Sequence, residues 1–217
     1  MKASLLTLLL ISQLSGISYI QYYKVESTNC TKTDSNFVYE NDSVKITYTL
    51  WANGGAMSFV IFNKMDKPLY VDWERSSMIV NAVNHFYFSD SLAEMSYSHT
   101  AVGFLPPKTQ LQRSMSRIVT KNIAAWSSFE TQTQTRNDTK NTQTKIYVRK
   151  FTADNSPVVF RNFLTLSDRK DFQNTFSVDN KFYISEVQAM DVRNFMRQTG
   201  ENAWEFFYWR GTDFYLN

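Results

Sequence analysis

One cysteine, two histidines, four prolines and six glycines are spread over 217 residues, and each scarcity removes a class of explanation. Cys30 stands alone and cannot close an internal disulfide, so the fold has to rest on its hydrophobic core. A lone thiol in an exported chain can be reactive, can join two chains or can serve as a small buried side chain, and the last is the plainest use. His85 and His99 have no cysteine between them, and Asp90 and Glu94 complete a metal set by residue type without any spacing that makes the four converge. We therefore expect no metal and no other cofactor. Only Gly54 and Gly55 are adjacent, inside a hairpin pattern, which leaves no phosphate-cradling loop. Gly-x-Ser-x-Gly is missing, and Ser98-His99 would point to opposite faces of a strand, so a serine nucleophile has no support.

An excess of one charge is lacking too. Lys and Arg number 23 against 20 Asp and Glu. They are scattered, without the basic stripe that a phosphate backbone demands, so nucleic acid is not an expected partner. Long apolar runs are confined to Leu5 to Ile11. With Met1-Lys2 before it and Leu14-Ser15-Gly16 after it, that run is too short to span a bilayer and reads as an export signal over 1–18. The remaining 19–217 is then expected outside the cytoplasm: periplasmic, envelope-associated or secreted. Leu-Ser-Gly also precedes the acylated cysteine of a bacterial lipoprotein signal, and here Ile17 stands where the thiol would be. Membrane association is thus expected only if the signal stays uncleaved. Asn29, Asn41 and Asn137 open sequons that matter only in a eukaryotic secretory pathway.

Aromatic residues are plentiful, with 17 Phe, 12 Tyr and 5 Trp, and such stiff, bulky side chains favour pleated surfaces over helices. Tyr19 to Val25 reads as a first strand or an ordered leader. Val44, Ile46, Tyr48 and Leu50 alternate with polar residues, and Met57, Phe59 and Ile61 do so again after Asn53-Gly54-Gly55. Ser43 to Phe62 is therefore a hairpin with a tight turn at the glycines. Asn63 to Pro68 is a second reversal, followed by a strand through Leu69, Val71 and Trp73. Two short segments follow, Ser77 to Ala82 and His85 to Phe88, around a turn near Asn84, which together suggest a meander. Ser91 and Glu94 have capping-box spacing, and the stretch from there through Pro106-Pro107 to Val119, without clean periodicity, predicts a loop and one strand.

Residues 127–145 form the one biased segment, with Thr, Gln and Asn and hardly any apolar side chain. It predicts a polar mobile loop, an exposed hairpin tip or a polar edge strand. Beyond it, Val158, Phe160 and Leu164 can share a face, Asp179-Asn180 resembles a turn, and Phe182 to Val187 is a strand. Val192, Phe195 and Met196 have helical spacing, with Gly200 placed to stop a short C-terminal helix. The expected fold is mainly β, an antiparallel immunoglobulin-like β-sandwich of one domain over 19–217. A membrane barrel is the competing all-β arrangement, but too few segments reach the roughly ten residues its strands require.

Candidate chemistry is thin. Asp171, Asp179, Glu186, Asp191, Glu201 and Glu205 qualify as glycosidase carboxylates by residue type alone, since their pairing is spatial. More distinctive is Trp204-Glu205-Phe206-Phe207-Tyr208-Trp209. Strand alternation would put Trp204, Phe206 and Tyr208 on one side and Phe207 and Trp209 on the other. Trp204, Phe206, Tyr208 and Trp209 are the candidate aromatic binding surface, able to stack on sugars or anchor a partner. The plainer alternative is a terminal strand buried on both faces, and Trp51 and Trp73 carry the same ambiguity.

Val38-Tyr39-Glu40 through Asn81 resembles a family of uncharacterised envelope lipoproteins from Bacteroidetes. The resemblance lies in Tyr48-Thr49-Leu50-Trp51, Gly54-Gly55, Phe59 to Lys64, Pro68 to Asp72 and Ser77 to Asn81. Pro106-Pro107-Lys108, Phe160 to Phe163 and Phe182 to Ser185 echo it later. It implies envelope localisation and a β-sandwich, and carries no activity or functional residues with it. The expectation is an exported bacterial envelope protein that acts by binding or structural interaction rather than catalysis, with an unknown protein or glycan of the envelope as partner. The alternative is an envelope-associated enzyme acting on glycans.

Overall fold

The computed structural model describes residues 19–88, 101–123, 129–135, 142–200 and 204–217. Strands take up 61% of these residues, and they pair antiparallel. The expected export signal, the capping-box turn at Ser91, His99 and Glu201 lie outside them.

A five-stranded sheet holds β2 (Thr31–Lys32), β3 (Phe37–Glu40), β4 (Val44–Thr49), β5 (Ala56–Asn63) and β9 (Gln110–Ser116), in that order. A nine-stranded sheet is built from β1 (Tyr19–Ser27), β6 (Leu69–Val80), β7 (Val83–Phe86), β8 (Val102–Leu105), β10 (Glu130–Thr135), β11 (Gln143–Lys150), β12 (Val159–Ser167), β13 (Thr175–Asp191) and β16 (Phe214–Leu216). A small ribbon of β14 (Met196–Gln198) and β15 (Trp204–Phe206) follows the single helix turn α1 (Val192–Phe195).

The alternation in β4 and β5 decides which face is buried. Val44, Ile46, Tyr48, Met57, Phe59 and Ile61 are all shielded from solvent, and they join Leu69, Val71, Trp73, Phe160, Leu164, Leu166, Phe182 and Ile184 of the other sheet in one core. Burying each large apolar side chain contributes about 1.5–3 kcal/mol, and ring contacts such as Tyr48 to Phe182 (5.1 Å) cross between the sheets.

Several expected local features differ. The meander does not form, because the chain leaves the five-stranded sheet after β5 and enters the other at β6. Asn63 makes that exit: its Nδ2 donates to the carbonyls of Lys67 (2.9 Å), Leu105 (3.2 Å) and Pro106 (3.1 Å). The segments expected around Asn84 are one continuous β6 and a hairpin to β7, turning at Asn81 and Ala82, both at positive φ. Of the alternatives expected for the polar stretch at 127–145, its described part takes the polar edge strand, β10, at the end of the nine-stranded sheet. Glu130 to Thr135 pairs in register with Val148 to Gln143, so the backbone is satisfied while most β10 side chains stay in water. Asp179-Asn180 is no turn but the middle of the 17-residue β13, and the reversal from β12 occupies residues 168–174. The helix stops at Met196, which is already extended, and Gly200 plays no part in ending it.

β13 is long enough to serve two neighbourhoods. Its first half pairs with β12, and its second half with β1 and β11. Between them a bulge skips Ser185, since Lys24 pairs with Glu186 and Val25 with Ile184. One extra residue in a strand reverses which side chains face the core. Before the bulge Val178, Asn180, Phe182 and Ile184 point inward; after it Val187 does, and Glu186, Gln188 and Met190 turn to the other face.

Candidate functional site

That other face carries a second, smaller core. Ile20 and Tyr22 from β1, Ile146 and Val148 from β11 and Met190 from β13 pack under Phe195 and Met196, with Trp51, Phe206, Tyr208 and Tyr215 closing over them. Trp51 comes from the β4–β5 connection, which is a clamp rather than the tight turn expected. Leu50 N donates to Gly211 O (2.7 Å), Gly54 N to Tyr215 O (2.7 Å), and Asn53 bridges Tyr215. Gly54 and Gly55 have φ of 79° and 77°, and a Cβ on Gly54 would lie 2.7 Å from Val119 O. Both glycines are thus required by conformation, Gly54 also by close backbone approach and Gly55 by the Phe214 and Ile118 side chains packed against it.

Beside this cluster opens a cleft of about 630 Å3. Outward residues of β1 (Tyr22, Lys24, Glu26) line one side, Gln134 and Thr135 of β10 another, and Phe206 to Arg210 the third, with Lys32 and Asp213 between them. Of the four aromatics singled out from the sequence, the structure brings three to this place. Phe206 is half-buried against Trp51 (5.2 Å, perpendicular) and Tyr215, and Tyr208 stacks on Phe195 (6.2 Å). Trp209 is 54% exposed at the rim, edge-on to Trp51 at 6.2 Å. The expected alternation fails beyond Phe206, where β15 ends and the chain turns, so that Phe207 is buried and Trp209 is not. Trp204 pairs through its backbone with Gln198. Trp73, by contrast, is a core residue with the Arg113 guanidinium 4.3 Å from its ring.

The floor of the cleft is a charge network that the sequence did not reveal. Asp213 is buried and accepts hydrogen bonds from Tyr22 Oη (2.5 Å), Thr212 Oγ1 (3.3 Å) and the Val25 amide (3.4 Å). Lys32 Nζ stands 3.8 Å from Asp213 Oδ1, donates to Val25 O (2.7 Å) and pairs with Glu26 (2.9 Å). Lys24 pairs with Glu186 at 2.8 Å. Burial, then the Asp213 charge and hydrogen bond, push the Tyr22 hydroxyl far above the usual phenol range. These residues are remote in sequence, from β1, β2 and the approach to β16, and no spacing rule joins them.

The carboxylates nominated by type disperse into separate ion pairs: Asp171 with Arg169, Asp179 with Arg161, Asp191 with Arg193 and Glu205 with Arg197. Among the described residues, two carboxylates outside that set, Glu26 and Asp213, line the same cleft. His85 lies elsewhere, and among the described residues no group of His, Cys, Asp and Glu could hold a metal ion. No described helix is long and apolar enough to cross a membrane. Comparison with family models, with curated proteins and with solved structures finds no match.

Proposed function

We propose that the protein is an exported bacterial envelope protein, allied to the Bacteroidetes lipoproteins it resembles but with Ile17 in place of the acylated cysteine. Its two large sheets form an immunoglobulin-like β-sandwich, a reading supported by the single core they share. Its function is binding: the cleft beneath Trp209 takes an envelope glycan. The observation that carries this is the union of an exposed indole with a floor of paired charges and amides. Sugars present apolar ring faces and many hydroxyls, so they need a stacking platform together with donors and acceptors.

Glycan hydrolysis is the second reading, favoured by Glu26 and Asp213 on one cleft. Yet Asp213 is taken up by the Tyr22, Thr212 and Val25 donors and lies beside the Lys32 ammonium, which Glu26 shares, so both carboxylates are engaged within the protein rather than turned to a substrate. One experiment separates the readings: titrate the full chain with soluble peptidoglycan fragments, following tryptophan fluorescence and product release. Binding without turnover, weakened at least tenfold by Trp209→Ala, is expected. Turnover lost in Glu26→Gln would replace binding with catalysis, and an unaltered affinity in Trp209→Ala would remove the cleft from consideration. The mature N-terminus and mass of the expressed chain test the export reading, which a retained Met1 or a lipid-sized increment overturns.

A further inference from the structure

A second groove, of about 500 Å3, lies between the β6–β7 hairpin and residues 117–123. Its floor is Ile118, Val119 and Val158, all buried, and its wall includes Val83, which is 59% exposed. His85, Arg117 and Lys121 stand among these apolar groups, and no Asp or Glu is among the described residues lining it. The contrast with the Trp209 cleft is chemical: there Lys24 and Lys32 pair with Glu186 and Glu26, whereas no ion pair is formed by Arg117 or Lys121 among the described residues here.

The segment forming the floor is held in place independently of any ligand. Arg117 N donates to Gly55 O (2.7 Å) and Val119 N to Gly54 O (2.8 Å), and Arg117 is kept at a φ of 68°, a conformation that costs a non-glycine residue roughly 1 kcal/mol or more. The floor is therefore preorganised, which lowers the ordering cost of binding.

From this arrangement we infer that the groove binds a single-chain fatty carboxylate. An alkyl chain covers Ile118, Val119, Val158 and Val83, and the carboxylate meets Arg117, Lys121 and His85. Neither half of the groove is explained by a simpler ligand: an inorganic anion has no use for the apolar floor, and a neutral hydrocarbon none for three basic side chains. The volume lies within the range of small-molecule sites, about 300–1,000 Å3.

The test is calorimetric titration of the full chain with decanoate below its micellar concentration, with 1-decanol as the uncharged control. One site per chain is expected, with decanol at least tenfold weaker. Lys121→Glu and Val83→Glu, both exposed and so compatible with folding, should each weaken decanoate at least tenfold, while Trp209→Ala should leave it unchanged. Four results would overturn the assignment: no decanoate binding, equal binding of decanol, full affinity in both groove variants, or association with phosphatidylglycerol vesicles alone.

Discussion

Tyr48 shows how much one hydroxyl can organise. It is fully buried between the sheets, and its oxygen accepts from Asn162 Nδ2 (2.9 Å) and Asn180 Nδ2 (2.6 Å), while Asn162 Oδ1 accepts from Tyr87 Oη (2.7 Å). Polar groups in a dry core cost little when paired and about 1–3 kcal/mol each when abandoned. Tyr48→Phe abandons two amide donors, so its urea midpoint should drop by the equivalent of about 3 kcal/mol. Adding Asn180→Leu removes one of the orphans, and the double variant should lose less than the two single losses added together. Strict additivity would mean that the hydroxyl does not join the asparagines. Cys30 yields a second expectation at this scale. Burial pushes its thiol up to about 11, against a partial offset from the Ser27 hydrogen bond. At pH 8 the folded chain should react with iodoacetamide roughly a hundredfold more slowly than the urea-unfolded chain, with a rate that climbs towards pH 11. Equal rates would place the thiol in water.

Elements meet most closely at Gly211. A Cβ there would lie 2.0 Å from Ser35 O, and its carbonyl already accepts from Leu50 N. Gly211→Ala must push the segment from Trp209 to Asp213 away from the five-stranded sheet, at a cost of about 3 kcal/mol. Because that segment carries both the rim and the floor of the cleft, glycan affinity should fall with stability, whereas Trp209→Ala should reduce affinity alone. Chemical unfolding and fluorescence titration of the two variants check this. The same place marks the limit of what local pattern encodes. Alternation in β4 and β5 was legible because each strand has one wet face and one dry face, a period that needs no partner to be read. Asn180 has the residue type of a turn, and its use, bonding Tyr48 across 132 positions, leaves no local trace. The bulge at Ser185 was invisible for the same reason. The aromatic run from Trp204 to Trp209 could be seen, but its partners Trp51, Lys32 and Asp213 come from distant segments that only the packing of the sheets brings together.

For the whole molecule, the buried tyrosines and the paired carboxylates set opposite pH limits. Burial raises Glu186, but hydrogen bonds from Lys24 and Gln188 and the charges of Lys24 and Lys150 outweigh it and hold the carboxyl below its ordinary value. The Arg193 hydrogen bond does the same for Asp191, again against burial. A depressed carboxyl gives stability that is present above the unfolded-state value near 4 and lost as pH falls through the folded one. Tyr22, Tyr23 and Tyr48 have the reverse sign. Burial raises all three, so the unfolded chain ionises near pH 10 while the folded chain holds its protons, and stability falls as pH rises past that point. Urea midpoints should therefore form a plateau between about pH 5 and 9, with both flanks sloping down. Glu186→Gln should flatten the acid flank, and Tyr22→Phe the alkaline one. Tyr22→Phe should also lower the plateau by about 1–3 kcal/mol, because Asp213 loses a hydrogen-bond donor in the dry floor of the cleft. If the alkaline flank keeps its slope in both Tyr22→Phe and Tyr48→Phe, phenol burial is not its cause. If Tyr22→Phe changes the flank but not the plateau, the Tyr22–Asp213 bond contributes nothing to stability, and the cleft floor is held by Lys32 instead.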